Sequence, residues 1–342
     1  MERADHLSNF TTLRLGGPAK KLIRAKTEAE LIAAVTAADE ASEPILILGG
    51  GSNILVGDEG FNGTVIRVET SGNSYEFDAC SGGMIQVAAG EDWDTFVQFI
   101  LAKGWANLET LSGIPGTVGA APIQNIGAYG HEVAETIARV RTFDRVAKAI
   151  KTFTGNECGF GYRTSMFKKN PDRYVILDVT FQLRKGLESL PIQYKELVDT
   201  LGVSIGTRVN VHKVREAVLV LRNKKGMLLS GNNANYSAGS FFTNPIISAE
   251  LAATLPTGVP QWPQLDGTIK TSAAWLIENS GISKGHQHGG AKVSDLHVLA
   301  LTNAGSATSL EVIQLARIVQ ESVRRSFNVE LEPEVRVVGA EI

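Results

Sequence analysis

Between Gly113 and Gly130 the chain carries no charge and little bulk: Gly113-Ile114-Pro115-Gly116-Thr117-Val118-Gly119-Ala120-Ala121-Pro122-Ile123-Gln124-Asn125-Ile126-Gly127-Ala128-Tyr129-Gly130. A core segment uses larger side chains, and a solvent loop uses more charge. Backbone lying flat against a large, mostly apolar ligand satisfies both observations. An isoalloxazine ring with a diphosphate tail is such a ligand. A buried structural loop is the alternative reading of the same residues.

A second glycine cluster, Gly49-Gly50-Gly51-Ser52-Asn53, follows the apolar run Ile45-Leu46-Ile47-Leu48. Three glycines let backbone N–H groups converge on one point, as in a pyrophosphate cradle, and Ser52 and Asn53 add side-chain donors. No G-x-G-x-x-G opens a helix here, and no Lys-Ser or Lys-Thr closes the loop, so it is neither the dinucleotide fingerprint nor a Walker loop. A plain turn is the alternative.

The chain has 342 residues, which suggests roughly two or three domains. With 43% hydrophobic and 20% charged residues it is an ordinary globular composition. A net charge of -3 without a basic run argues against a nucleic-acid partner. No apolar signal segment opens the chain, and no apolar run is long enough for a bilayer. Cys80 and Cys158 form no CxxC, so each is expected to be a packed small hydrophobe in a reduced compartment.

Periodicity and caps predict helices over 27–42 (capped by Thr27, with Glu30 three later and Leu31, Ile32 and Val35 inward), 92–103, 210–225, 248–255, 272–280 and 309–327. In the third of these, Val211, Val214, Val218 and Leu221 share one face. Strands are expected over 45–48, 64–68, 84–89, 140–143, 148–153, 174–183 and 297–302, with a closing strand over 329–337. Residues 1–70 read as a β-α-β unit and the polar stretch 71–83 as a boundary. The class is α+β with mixed sheets.

Several short stretches carry chemistry. Ala238-Gly239-Ser240-Phe241-Phe242-Thr243-Asn244-Pro245 holds a hydroxyl between a glycine, which permits close backbone approach, and two rings. An amide with two donors and one acceptor follows. Taken alone, the stretch reads as a strand with a tight turn. In Gly161-Tyr162-Arg163-Thr164-Ser165-Met166-Phe167-Lys168 a guanidinium suited to a carboxylate stands beside an aromatic ring and hydroxyls; a surface arginine is the alternative. Lys224 and Lys225 end a helix, where cations suit the dipole, and either can serve a phosphate. Leu331-Glu332-Pro333-Glu334-Val335-Arg336 reads as an alternating strand with both carboxylates on one side, or as solvated edge charge. His286 and His288 lack a third ligand at a recognised spacing, so no metal is expected.

GGGSN, IPGTVGAAPIQNIGAYG, GYRTSMFK, AGSFFTNP and LEPEVR, in that order, resemble the UDP-N-acetylenolpyruvoylglucosamine reductase family. These flavoenzymes complete UDP-N-acetylmuramic acid for bacterial cell-wall synthesis. The resemblance runs from Asn9-Phe10-Thr11-Thr12 to Arg336. It implies an α+β, FAD-binding fold of the PCMH (vanillyl-alcohol oxidase-like) type, with a C-terminal α+β substrate-binding domain. The first lobe would span 1–70, completed by 328–342, the second 71–228, and the substrate domain 229–327. It also implies non-covalent FAD, NADPH as hydride donor, and an enolpyruvyl sugar nucleotide using the same cleft in turn.

Residue by residue, the resemblance implies Ser240 as proton donor, Arg163 as active-site arginine and Glu334 as catalytic glutamate. Cofactor contacts fall on Gly49, Gly50, Gly51, Ser52, Asn53, Pro115, Gly116, Thr117, Gly119, Ala120, Ile123, Asn125, Gly127, Ala128 and Arg163. Substrate contacts fall on Tyr129, Tyr194, Lys225 and Asn244, with Lys224 leaving the lysine register open by one. Gly127-Ala128-Tyr129-Gly130 with Tyr194 resembles the branch in which tyrosines close over the nucleotide. Thr243 departs from the pattern, where a lysine is expected, as does 226–236.

The implied reaction adds hydride to C3 of the vinyl ether, so charge builds at C2 and spreads into the carboxylate. That charge needs a fixed cation, Arg163, and hydrogen bonds where it develops. Glu334 either donates as a neutral acid or orients Arg163. Ser240 protonates C2 on one face. One rival reading is an FAD oxidase of the same superfamily acting on a small alcohol. Another is a non-catalytic flavin or sugar-nucleotide binder. The first leaves AGSFFTNP and LEPEVR unexplained, and the second needs no proton donor opposed to an arginine and a glutamate. The protein is expected to act as a cytoplasmic monomer, without nucleic-acid or membrane partners.

Overall fold

The computed structural model describes residues 5–78, 82–229 and 236–342; Cys80 and positions 230–235 of the divergent 226–236 stretch lie outside them. Strand β1 (Ala19–Ala25) leads into helix α1 (Glu28–Glu40). Thr27 Oγ1 accepts the Glu30 N–H, and the Glu30 carboxylate accepts the Thr27 N–H, which closes the capping box the sequence predicts. Strands β2 (Ile45–Leu48), β3 (Ile54–Val56) and β4 (Phe61–Val68) follow. β4 lies between β1 and β2 and runs parallel to β2. The expected β-α-β unit is thus opened out, because α1 joins two strands with a later strand between them.

The polar stretch after residue 71 contains an edge strand, β5 (Asn73–Asp78), paired antiparallel with β6 (Gly82–Ala88). Helix α2 (Trp93–Ala102) starts at Asp92, whose carboxylate accepts the Thr95 N–H, and gives way at Gly104, φ +75. After β7 (Trp105–Ala106), β8 (Gly127–Ala128) and β9 (His131–Glu132) come β10 (Ile137–Asp144), β11 (Ala149–Thr154), the single turn α3 (Met166–Lys169) and β12 (Tyr174–Lys185). The order β11-β10-β12-β6-β5 makes β12 the centre of an antiparallel sheet. Helices α4 (Lys195–Leu201) and α5 (Val211–Lys224) follow, and the predicted face Val211, Val214, Val218 and Leu221 is buried.

Short pieces dominate the C-terminal part: β13 (Tyr236–Ser237), β14 (Ile246–Ile247), α6 (Ala249–Thr254), β15 (Gln261–Pro263), β16 (Ile269–Thr271), α7 (Ala273–Asn279), β17 (Gln287–His288), β18 (Ala291–Val293) and β19 (Leu301–Asn303). Helix α8 (Ser309–Phe327) matches its predicted span, and β20 (Arg336–Val338) closes the chain. Two strand predictions were too long. Residues 294–300 make a tight turn, leaving only β19 of the strand expected over 297–302. Pro333 contributes only an isolated bridge, to Phe242, so the closing strand begins at Arg336. The alternation expected of Glu332 and Glu334 therefore fails; Glu332 is exposed and Glu334 half-buried.

The chain forms two compact units. One comprises Met1–Pro18, Gly51–Phe61 and Lys225–Ile342, and the other Ala19–Gly50 and Asn62–Lys224. In the first, Leu13, Leu15 and Leu55 pack with Phe241, Phe242 and Val312. In the second, Trp93, Phe96 and Phe181 stack within a core that also takes in Val179 of β12. Among the described residues, no helix is long and apolar enough to cross a membrane.

Candidate active site

In the first unit, motifs far apart in sequence share backbone. The Glu334 N–H donates to the Phe241 carbonyl at 2.8 Å, and the Thr243 N–H donates to the Glu332 carbonyl at 3.0 Å. Asn53, from the first glycine cluster, joins them: its Nδ2 donates to the Glu334 carbonyl at 3.1 Å, and its own carbonyl accepts the Arg336 N–H at 3.1 Å. Pairing of β3 with β20, Arg336 opposite Ile54, sets that register. Phe241 and Phe242 are each 1% exposed and meet edge to face at 5.2 Å, so the serine's flank is anchored in the core. Ser240 is half-buried. Gly239 has φ +75, and a Cβ there would meet open space among the described residues. The positive angle favours glycine, and the open space beside it leaves room for the close approach expected from the sequence.

The other expected residues of this unit have local partners as well. Asn244 Oδ1 accepts the Ala273 N–H at 3.0 Å, at the start of α7. A Cβ on Gly51 (φ +62) would stand 1.8 Å from the Phe10 carbonyl oxygen, and the Gly51 carbonyl accepts the Thr12 N–H. Ser52 and Lys225 are half-buried, whereas Lys224 is exposed at the end of α5.

In the second unit the two glycine-rich motifs meet. A Cβ on Gly49 would fall 2.6 Å from Thr117 Oγ1, and one on Gly50 would fall 2.8 Å from the Gly116 Cα. Among the described residues, the amides of Gly49, Gly50, Gly116 and Thr117 donate to no backbone carbonyl outside the strands. Such amides on closely packed loops fit a diphosphate, so the residues present suit FAD. Pro115, Ala120, Gly127 and Ala128 are half-buried, and Ile123 is exposed.

Two of the residues expected at the cofactor also make scaffold bonds. The Gly119 N–H donates to the Ala89 carbonyl at 2.8 Å, and a Cβ there would lie 2.5 Å from the Ala89 Cβ. Asn125 is 0% exposed; its Nδ2 donates to the Glu132 carboxylate at 2.6 Å and the Gly161 carbonyl at 3.1 Å, while its Oδ1 accepts the Ala134 N–H at 3.0 Å. The Asn125 side chain thus also ties the loop to its neighbours.

Two strained turns carry the remaining side chains. β8 and β9 form a hairpin with Tyr129 (φ +51) and Gly130 (φ +91) at its tip, the two positive angles of a type I′ turn. Tyr129 meets Tyr194 edge to face at 5.5 Å, and burial pushes the Tyr129 hydroxyl up to about 12. Gly161 and Thr164 exchange two backbone bonds around a second turn, which holds Arg163 at φ +50. Arg163 Nη2 donates to the Gly127 carbonyl at 2.7 Å, and the guanidinium lies 5.3 Å from the Tyr162 ring centre. The arginine is thus fastened to the hairpin that bears Tyr129. Positive φ in a residue other than glycine costs about 1–3 kcal/mol, and such strain concentrates at functional sites.

Sequence reasoning missed two residues. Arg222 is buried on α5, its Nε donating to the Gly113 carbonyl at 2.9 Å, and burial lowers its pKa. Its spacing four after Val218 was the available signal. His297 Nε2 lies 3.3 Å from Ser240 Oγ, a neighbour no sequence spacing announces. His288 Nε2, by contrast, lies 2.9 Å from Gln314 Oε1.

Comparison with known proteins accords with this geometry. Residues 232–338 match the model of the UDP-N-acetylenolpyruvoylglucosamine reductase C-terminal domain, and residues 19–152 match an FAD binding domain. A UDP-N-acetylenolpyruvoylglucosamine reductase from Cutibacterium acnes is 52% identical over 340 residues, covering 98% of this chain and 90% of its own. The chain belongs to the UDP-N-acetylenolpyruvoylglucosamine reductase family. A reductase of the same name from Thermobifida fusca is 46% identical over 97% of this chain and 96% of its own. The crystal structure of the Thermus caldophilus UDP-N-acetylenolpyruvylglucosamine reductase superposes with a TM-score of 0.68 at 28% identity, covering 97% of both chains. The α+β FAD-binding fold class read from the motifs holds, and as a member of this reductase family the protein is an FAD-dependent oxidoreductase.

Proposed function

We propose that this reductase converts UDP-N-acetylglucosamine enolpyruvate to UDP-N-acetylmuramate with NADPH, as a cytoplasmic monomer in peptidoglycan precursor synthesis. The observation that carries the reading is the backbone join of residues 241–243 with 332–334, which brings the serine and glutamate motifs together. The 52% identity to a reductase of that name supports it. FAD, when bound, supplies the hydride that reaches C3. The protein's own groups manage charge and proton. Arg163 meets the substrate carboxylate as charge spreads into it, and Glu334 orients or donates to the same group. Ser240 Oγ–H breaks as the C2–H bond forms. Lys225 binds a phosphate of the nucleotide, and Tyr129, Tyr194 and Asn244 hold the substrate. The first lobe, 1–70 with 328–342, the second, 71–228, and the substrate domain, 229–327, are the functional divisions that follow from the family resemblance.

Stopped-flow half-reactions test this. Ser240→Ala should leave bleaching of the flavin by NADPH nearly unchanged and slow its recovery on adding the enolpyruvyl substrate by about 10²–10⁴-fold. Equal loss in both phases sinks the proton-donor role. Lys225→Ala should weaken both NADPH and the sugar nucleotide, and an effect on one alone would count against a shared binding region.

A further inference from the structure

We propose that His297 is a positioning residue for Ser240, holding the serine hydroxyl with its proton turned outward and returning a proton to Oγ after the transfer. This rests on Ser240 being the proton donor. The sheet of the first unit sets the geometry. β13 pairs antiparallel with β19, Tyr236 opposite Asn303 and Ser237 opposite Thr302. Carried past the strand ends, that register would set Phe241 against Val298; the chain slips by one residue there, and the Phe241 N–H donates to the Leu299 carbonyl at 2.7 Å. The turn before Leu299 is tightly tied. Ser294 Oγ accepts the His297 N–H at 3.3 Å, the His297 carbonyl accepts the Ala300 N–H at 3.0 Å, and the Ala300 carbonyl accepts the Ser294 N–H at 2.8 Å. Ser294 is 1% exposed, so this turn has little freedom. From it, His297 Nε2 reaches to 3.3 Å from Ser240 Oγ.

Chemistry selects one of the two possible directions for that contact. A serine hydroxyl has a single proton and two lone pairs. Were Nε2 bare, it would draw the hydroxyl proton to itself and away from any carbon acceptor. With a proton on Nε2, the ring donates to Oγ, and the serine proton must point elsewhere. As the Oγ–H bond breaks and the C2–H bond forms, the growing negative charge on Oγ strengthens the Nε2–H bond to it. With His297 as imidazolium, the Nε2–H bond then breaks as Oγ–H re-forms. The ring is left neutral and regains its proton from water, which the half-exposed position of His297 permits. No charge is left on the serine, and no co-reactant beyond water is required.

The test combines a spectroscopic and a kinetic readout. In 15N-histidine-labelled protein, Ser240→Ala should shift the His297 Nε2 resonance more than its Nδ1; an unmoved Nε2 overturns the proposal. In stopped flow, His297→Ala should leave the NADPH phase within about twofold and slow the substrate phase by about 100-fold. His297→Gln, which keeps an N–H donor but cannot pass a proton, should recover part of that loss. In the Ser240→Ala background, His297→Ala should add nothing. Multiplying effects, loss in both phases, or a substrate phase at parental speed in His297→Ala each overturn the role of the histidine. A substrate phase at parental speed in Ser240→Ala instead removes the serine reading itself, and the two failures are thereby distinguished.

Discussion

Arg163 and Asn125, two polar residues of one unit, give opposite expectations under substitution. Arg163 holds a left-handed backbone angle, and its Nη2 donates to the Gly127 carbonyl. Arg163→Gly relieves roughly 1–2 kcal/mol of backbone strain while losing a charge-assisted bond of about 1.5–3 kcal/mol. Its urea midpoint should therefore shift little, while the substrate half-reaction falls at least about 100-fold by loss of electrostatic stabilisation. Near-parental turnover would reduce Arg163 to a structural tie. Asn125 predicts the reverse. Asn125→Ala takes one donor each from the Glu132 carboxylate and the Gly161 carbonyl, which keep the Glu135 and Thr164 N–H groups, and removes the Oδ1 acceptor of the Ala134 N–H, so urea unfolding should report a loss of about 1–3 kcal/mol. A cost under about 0.5 kcal/mol would contradict the buried network.

At the scale of elements, the β8–β9 hairpin is braced by a titratable pair. His131 Nδ1 lies 2.8 Å from the Glu135 carboxylate, and that bond raises the imidazole pKa above its usual 6.5, against partial burial. The folded state then holds the proton more tightly than the unfolded one. Stability from this pair is complete below the usual imidazole pKa and is lost as pH rises through the raised one. The melting temperature of the parent should fall relative to His131→Gln between about pH 6 and 8; parallel curves would rule out the brace. Helices were the legible elements because their ends carry local chemistry: Thr27 with Glu30, Asp92 with Thr95, and Thr308 with Glu311 all cap as side chains and backbone within one turn. Strands of two or three residues, such as β13 and β19, are too short to show a period of two. The candidate site divided the same way. Its motifs were visible through unusual composition. The contact of His297 with Ser240 depends on strand register, and the engagement of Asn125 on three partners up to 36 residues away, neither of which is written in local spacing.

At the scale of the molecule, the first unit is drawn from three separate pieces of chain, and its core requires all three. Leu13, Leu15 and Leu55 are buried among residues that begin at Ala238. Thr12 Oγ1 donates to the Ser237 carbonyl at 2.7 Å, and Ser309 Oγ donates to the Val56 carbonyl at 2.6 Å. Each buried leucine contributes about 1.5–3 kcal/mol, so losing three removes an amount comparable with the whole stability of a typical domain. A fragment of residues 225–342 should therefore show no cooperative melt by near-ultraviolet circular dichroism, and a sharp transition would contradict the three-piece core. The same interlacing bears on inheritance. Because this unit takes residues from both ends of the chain, any single genetic crossover within the coding sequence leaves it assembled from two parents. A crossover between residues 57 and 335 also parts β3 from β20, so their pairing then joins strands of two lineages.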